Sequence, residues 1–283
     1  MSERDSGALG SGKGHKDENF PVASILLAPE HRAPIMAFYR FARAADDISD
    51  HPTADAREKL TLLGAMRAGL DGDGAAEAMA LARVLAEYKL DPVHAHDLLD
   101  AFVQDVTVNR YADWDALIGY CRMSAMPVGR FVLDVHGEDR AVWPLSDALC
   151  AALQVINHLQ DCAKDYRELD RVYIPADMLA RHGGAVGDLA RQSATPGLRG
   201  AIVEAAEATQ RLLRESAGFA RAIRSRRLAL EVAVIQRLAE DLTARLLARD
   251  PLSERVHHNK VQAALLALRA MVGQLAARGL RGA

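Results

Sequence analysis

From Asn19 to its C-terminus, this chain of 283 residues carries almost nothing but helical periodicity. Apolar residues recur at the spacing of one helix face, valine and isoleucine sit inside Ala/Leu-rich runs, and the alternation of a half-buried strand is almost absent. A chain so patterned can bury its apolar faces only by packing helix on helix. Half of the residues are apolar, ample for a core, and no Gly-, Ser- or Pro-rich linker splits the chain after residue 19. The expected fold is all-α, a single domain over 19–283, preceded by a polar, Gly-rich tail over 1–18 without periodicity. Helices are predicted over 20–27, 30–48 with Pro34 tolerated near the start, a Thr53-capped segment to residue 70, 77–88, 93–106, 114–125, 128–136 after a break at Pro127, a Ser146-capped segment to residue 164 or 166, 176–181, 196–223, 228–249 and 253–278.

Against this background the run Arg40–Asp50, RFARAADDISD, stands out for its like charges inside an apolar helix. With each residue advancing about 100°, Tyr39, Arg43, Asp46 and Asp50 share one face, and Asp47 lies beside them. In LQVINHLQDCAKD, residues 153–165, Gln154, Asn157, Asp161 and Asp165 share a face in the same way, bordered by His158 and set among Leu149, Leu153, Val155, Ile156 and Leu159. Each stripe ends in two carboxylates four residues apart. Carboxylates near a helix C-terminus also work against the helix dipole. Two such pairs suit a hard cation: magnesium takes oxygen ligands and is typically held by one or two carboxylates plus substrate phosphates. Mg²⁺ is the expected cofactor, a diphosphate the expected headgroup, and Arg43 an added donor to its oxygens. The apolar surroundings of both stripes point to hydrocarbon as the rest of the ligand. Ionisation of an activated diphosphate to a carbocation follows from that combination.

Other readings are weaker. Gly7-Ala8-Leu9-Gly10-Ser11-Gly12-Lys13 imitates a phosphate-binding loop, but Gly14 stands where Ser or Thr is needed and no apolar strand precedes it. The net charge of −3 argues against nucleic acid held through phosphate contacts. Cys121, Cys150 and Cys162 are odd in number, lack metal spacing and read as small buried side chains of a reduced, intracellular protein. His94, His96, His257 and His258 read as solvated.

The chain resembles the squalene/phytoene synthase family through YRFARAADDISD (39–50), YCRMSAMPVG (120–129), NHLQDCAKD (157–165) and RVYIP (171–175). DENFPVAS (17–24), QDVTVNRY (104–111) and DPLSERVHH (250–258) look most like its bacterial hydroxysqualene synthases, of hopanoid biosynthesis. The resemblance implies an isoprenoid-synthase helical bundle around a central apolar cavity. Asp46 and Asp50 would hold Mg²⁺ on one wall, Asp161 and Asp165 on the other. Tyr39, Arg43, Tyr120, Gln154 and Asn157 match catalytic positions near the diphosphate. Substrate-binding candidates are Asp47, Asp105, Phe38, Phe41, Ala125, Gly129, Arg171 and Tyr173. The implied reaction converts presqualene diphosphate to hydroxysqualene by diphosphate loss, rearrangement and water capture, without nicotinamide or flavin.

Departures from the family pattern are Asp17-Glu18-Asn19 before Phe20, Gln160 where Arg is frequent, and Met126 where Asn is expected. The first two remove donors for a second diphosphate. Lys164, Arg167 and Arg171 form a basic cluster after the second aspartate pair. The lipophilic substrate adds peripheral contact with the inner face of the cell membrane, with the amphipathic segment 228–249 a weak candidate. The alternatives are a synthase joining two prenyl diphosphates, an all-α nucleotide pyrophosphohydrolase, and a non-catalytic scaffold. If the aspartates repel one another, Asp50→Asn and Asp161→Asn should each stabilise the metal-free protein.

Overall fold

A computed structural model describes residues 28–279. The tail, the loop-like run 7–13, the expected helix 20–27 and the Asp17-Glu18-Asn19 departure lie outside them. Twelve α-helices are described: α1 (Pro29–Ser49), α2 (Ala56–Leu70), α3 (Ala76–Tyr88), α4 (Val93–Thr107), α5 (Trp114–Ser124), α6 (Met126–Val135), α7 (Trp143–Leu169), α8 (Ala176–Arg181), α9 (Pro196–Glu215), α10 (Phe219–Ala222), α11 (Arg226–Ala248) and α12 (Lys260–Gly279). Among the described residues there is no strand, only a single bridge between Arg110 and Val172. The all-α expectation holds.

Several helix boundaries differ from expectation, five of them for a local reason, and the helix expected over 196–223 stops at Glu215. Asp55 caps α2 by accepting from Glu58 N at 2.8 Å, so Thr53 stays outside. Pro127 starts α6 rather than ending its neighbour, because a first-turn proline forfeits an N–H that has no helical partner anyway. Pro144 does the same for α7, which therefore begins three residues before Ser146; that serine is buried inside the helix with its Oγ 3.9 Å from Cys150 Sγ. At its far end α7 runs to Leu169, a turn beyond Asp165, so the dipole acts against Asp46 and Asp50 but has faded at Asp161. The last helix begins at Lys260, after an irregular stretch that Asp250 folds by accepting from Leu252 N and Ala194 N.

Buried apolar side chains form two clusters. The smaller joins Phe38, Phe41, Ala45 and Ile48 of α1 to α2, α3 and α4, with Phe131 of α6 stacked on Phe38 at 4.1 Å. The larger is built around α7, with α5, α9 and α11 packed on it. α6 belongs to both, contacting α1 and α4 on one side and α7 on the other. Gly129 permits its close approach to α7: a Cβ there would stand 2.5 Å from Cys150 Sγ and 2.6 Å from Ser146 Oγ. Burial pushes the Cys121 and Cys162 thiols up to about 12 and Cys150 to about 11, so all three stay protonated.

Candidate active site

Between the two clusters lies a cavity of about 1230 Å³. α1 contributes a file from Ile35 and Phe38 through Tyr39 and Arg43 to Asp46, Asp47 and Asp50. α7 contributes a parallel gradient from Ser146 and Cys150 through Gln154 and Asn157 to Asp161 and Asp165. One end of the cavity is therefore apolar and the other carboxylate-rich. From Cys150 to Asp161 a helix rises about 16 Å, which is the axial room available to a hydrocarbon chain. Tyr120, Ala125, Gly129, Asp105, Arg171 and Tyr173 complete the expected lining.

Phe41 is the exception among the residues expected here. It is fully buried on the opposite side of α1, in the smaller core with Phe38, because 41 lies about 100° from the cavity-lining 42 on the helix circumference. Gln160 is also turned away. Its Nε2 donates to Val256 O at 2.8 Å, anchoring the 250–258 segment, so its identity carries no information about a second diphosphate. Met126 packs in the larger core. Arg167 does not line the cavity, whereas Lys164 does. His94 is buried rather than solvated, 3.2 Å from Asp134 and edge-on to Trp143. His258 is paired with Asp241 at 2.9 Å and His96 lies 3.4 Å from Arg67.

Two features of the lining had no local signal. The first is a clip between distant loops. α7 ends at Asp170 in the left-handed region (φ +50), its carboxylate held by Arg110 and Asn109. Val172 N then donates to Asn109 O at 2.9 Å and Ala176 N to Tyr111 O at 2.9 Å. The clip aims Arg171 and Tyr173 at the cavity. Arg171 reaches Asp50 at 2.6 Å, Asp105 O at 3.2 Å and Ser49 O at 3.4 Å. Burial disfavours its charge, but Asp105 and Asp50 outweigh burial and hold it firmly protonated. The second feature is aromatic: Tyr173 stacks on His158 at 3.4 Å and neighbours Tyr120 and Tyr111.

Charge at the acidic end is partly matched. Arg43 forks onto Asp46 at 3.0 Å and Asp47 at 2.8 Å. Asp161 is held above the usual carboxylate range, first by burial and then by Asp165, against weaker help from Lys164, His257 and His158. Asp105 is pushed up to about 7, chiefly by burial; Arg171 and the Tyr120 hydroxyl at 2.8 Å oppose that, while Asp50 and Asp46 add to it. Its Oδ1 is buried without a partner. A carboxyl whose folded pKa is raised contributes stability present below its unfolded pKa of about 3.9, lost as pH climbs through the folded value. Wild-type stability should therefore fall relative to Asp105→Asn between about pH 4 and pH 7, a window in which Tyr111 and Tyr173, both pushed up by burial, do not titrate. Thermal unfolding of both proteins across that range checks this; parallel curves would refute it.

Among the described residues, no three His, Cys, Asp or Glu side chains converge into a ready-made metal cage. The donors at the acidic end are oxygens, three carboxylates from α1 and two from α7, with the charge of Asp161 only partly offset. That set fits a hard ion that completes its shell with water and phosphate, and lacks the sulfur and imidazole ligands that softer transition metals favour.

The profile of the family described as squalene/phytoene synthase matches residues 13–262. A hydroxysqualene synthase of Zymomonas mobilis is 56% identical, over 96% of this chain and 93% of its own length. One from Rhodopseudomonas palustris is 51% identical over 95% and 93%. The crystal structure of a squalene synthase from Alicyclobacillus acidocaldarius superposes with a TM-score of 0.70 at 31% identity, covering 79% of this chain and 85% of that one. A dehydrosqualene synthase structure, at 19% identity and a TM-score of 0.74 over 89% of each chain, shares the fold. Matched along most of its length, the chain belongs to the squalene/phytoene synthase family of enzymes.

Proposed function

We propose that the protein converts presqualene diphosphate to hydroxysqualene. The observation that carries this is the cavity itself, a hydrocarbon-lined hollow with five aspartates, three from α1 and two from α7, at one end. The names of its curated relatives point to the same product. Asp46, Asp50, Asp161 and Asp165 would hold Mg²⁺. When bound, the ion supplies Lewis-acid stabilisation of the departing diphosphate.

The remaining chemistry falls to this chain's side chains. Arg43, whose fork already lies between two carboxylates, can turn its donors to phosphate oxygens as their charge grows. The C–O bond to diphosphate breaks with its electron pair leaving on oxygen. The cyclopropylcarbinyl cation left behind rearranges against Phe38, Tyr120 and Tyr173, whose π-faces favour positive charge. The apolar wall keeps bulk water out until one molecule attacks the cation, its proton passing to the released diphosphate.

Gln154 is suited to hold that molecule. Ser124 Oγ lies 2.9 Å from Tyr120 O and 3.0 Å from Gln154 Oε1. A hydroxyl has one proton. Both contacts are satisfied if Ser124 donates to Tyr120 O and accepts from Gln154 Nε2, an amide turned end for end. Gln154 then presents its carbonyl oxygen to the cavity, as an acceptor for the attacking water.

Incubation with presqualene diphosphate and Mg²⁺ should yield hydroxysqualene with or without reduced nicotinamide, and farnesyl diphosphate alone should remain unchanged. Consumption of farnesyl diphosphate alone would overturn the substrate assignment. Gln154→Leu should lower the hydroxylated share of product about tenfold in favour of proton-loss hydrocarbons, the worth of roughly one hydrogen bond. An unchanged product ratio would remove Gln154 from water placement.

A further inference from the structure

Large apolar side chains are exposed at ten described positions, and five of them lie on α12. Val261, Leu265, Leu268, Val272 and Leu275 are 53–69% exposed, whereas none of the other five exceeds 41%. Their spacing alternates four and three residues, which gathers them into one stripe about 80° wide. The opposite face packs on α11, with Leu266 buried and Gln274 Nε2 donating to Ala220 O at 2.8 Å. The family profile ends at residue 262, within the first turn of this helix.

We propose that α12 docks the protein on an anionic lipid surface. The charged residues of the helix are Lys260, Arg269 and Arg278; it has no Asp or Glu. Lys260 and Arg269 are exposed and stand on opposite flanks of the stripe, about 100° and 80° from its centre. An apolar stripe edged on both sides by cations lies in the plane of a membrane interface, its side chains among the acyl chains and its ammonium and guanidinium groups at the phosphates. Charge favours lipid over a second copy of the chain. Two α12 helices seam to seam would bring cationic edges together with no acidic partner to offset them. No helix among the described residues is long and apolar enough to cross a membrane, so the contact is peripheral. The segment 228–249, the earlier candidate, is otherwise occupied: α11 gives Leu228, Glu231, Val232 and Ile235 to the cavity wall.

The docking rests on α12 alone. Its use rests on the function proposed above: α11 separates the stripe from the cavity, so docking brings the apolar interior close to the bilayer that dissolves a long hydrocarbon. Flotation of the full chain with phosphatidylcholine vesicles, and with phosphatidylcholine–phosphatidylglycerol vesicles, tests the first point. Wild type should partition at least about tenfold better to the anionic vesicles. Leu265→Ser/Leu268→Ser should lower that partition about a hundredfold, with wild-type Tm and wild-type turnover of detergent-solubilised presqualene diphosphate. Equal partition of wild type and double variant overturns the proposal, as does indifference to phosphatidylglycerol. A dimer in sedimentation that the double variant dissolves also overturns it, assigning the stripe to a second copy. Flotation without turnover would sink the substrate assignment and leave the docking standing.

Discussion

Asp161→Asn is expected to lower turnover of presqualene diphosphate about a thousandfold while raising the Tm of the metal-free protein. The first effect follows from losing one of the four carboxylates proposed to hold Mg²⁺ where charge develops on the leaving group. Metal-centred stabilisation is worth several kcal/mol, and about 4 kcal/mol corresponds to three decades in rate. The second follows from electrostatics in the unliganded state. The charge of Asp161 is opposed by burial and by Asp165 four residues on, and Lys164, His257 and His158 offset only part of that. Removing it relieves both costs. Asp50→Asn should lose turnover similarly but lower the Tm, because Asp50 is tied to Arg171 at 2.6 Å and its removal leaves a buried guanidinium short of a partner. The expectation that both substitutions stabilise therefore gives way to a contrast of sign between the two walls. A further readout is independent of catalysis: Mg²⁺ with inorganic diphosphate should raise the Tm of wild type, and by much less in either variant. Equal ligand-induced shifts in all three proteins would remove these aspartates from metal binding.

Why the two walls were legible, and what links them was not, follows from the range of the interactions involved. The 3.6-residue repeat and the i, i+4, i+7, i+11 stripes are local, so Asp46, Asp50, Asp161 and Asp165 could be placed on helix faces before any tertiary contact was known. Their convergence on one cavity is then a matter of two apolar helices burying the same stripe face. Local rules failed where a proline or a side chain has two uses. Pro127 and Pro144 both start helices, a role that differs from breaking one only by which side of the proline is helical. Phe41 shares its helix with the cavity file but lies on its other side, and aromatic character alone does not distinguish a core ring from a cavity ring. His94 carries a titratable group on a core face because Asp134, forty residues away, accepts it. The clip between 109–112 and 170–177 leaves no periodicity at all. Its residues Asn109, Arg110 and Asp170 form no spaced pattern, and Arg171 meets Asp50 across a separation of 121 residues.

That last contact is what an Arg171→Met variant would test. From sequence, Arg171 is a substrate-binding candidate in a basic cluster; in the structure its guanidinium is already committed to Asp50, Asp105 O and Ser49 O, and the side chain is only 9% exposed. It acts as a strut that fixes the C-terminal end of α1 against α4 and holds Asp50 in the cavity wall. Methionine fills similar volume without charge. Asp50 and Asp105 would then face each other with burial unopposed, and removing one partner of such an arrangement costs about 3–5 kcal/mol. For a chain of this size that is a fall in Tm of roughly 6–15 °C in the absence of any ligand. Arg171→Lys should recover part of the loss, since an ammonium can meet Asp50 but lacks the planar fork that also reaches both carbonyls. The double variant Arg171→Met/Asp50→Asn should be more stable than the sum of its single changes, because the stranded carboxylate is gone. A clamp acting only on the diphosphate predicts the reverse order of effects: an unliganded Tm like that of wild type, with the whole loss appearing as weaker Mg²⁺–diphosphate binding.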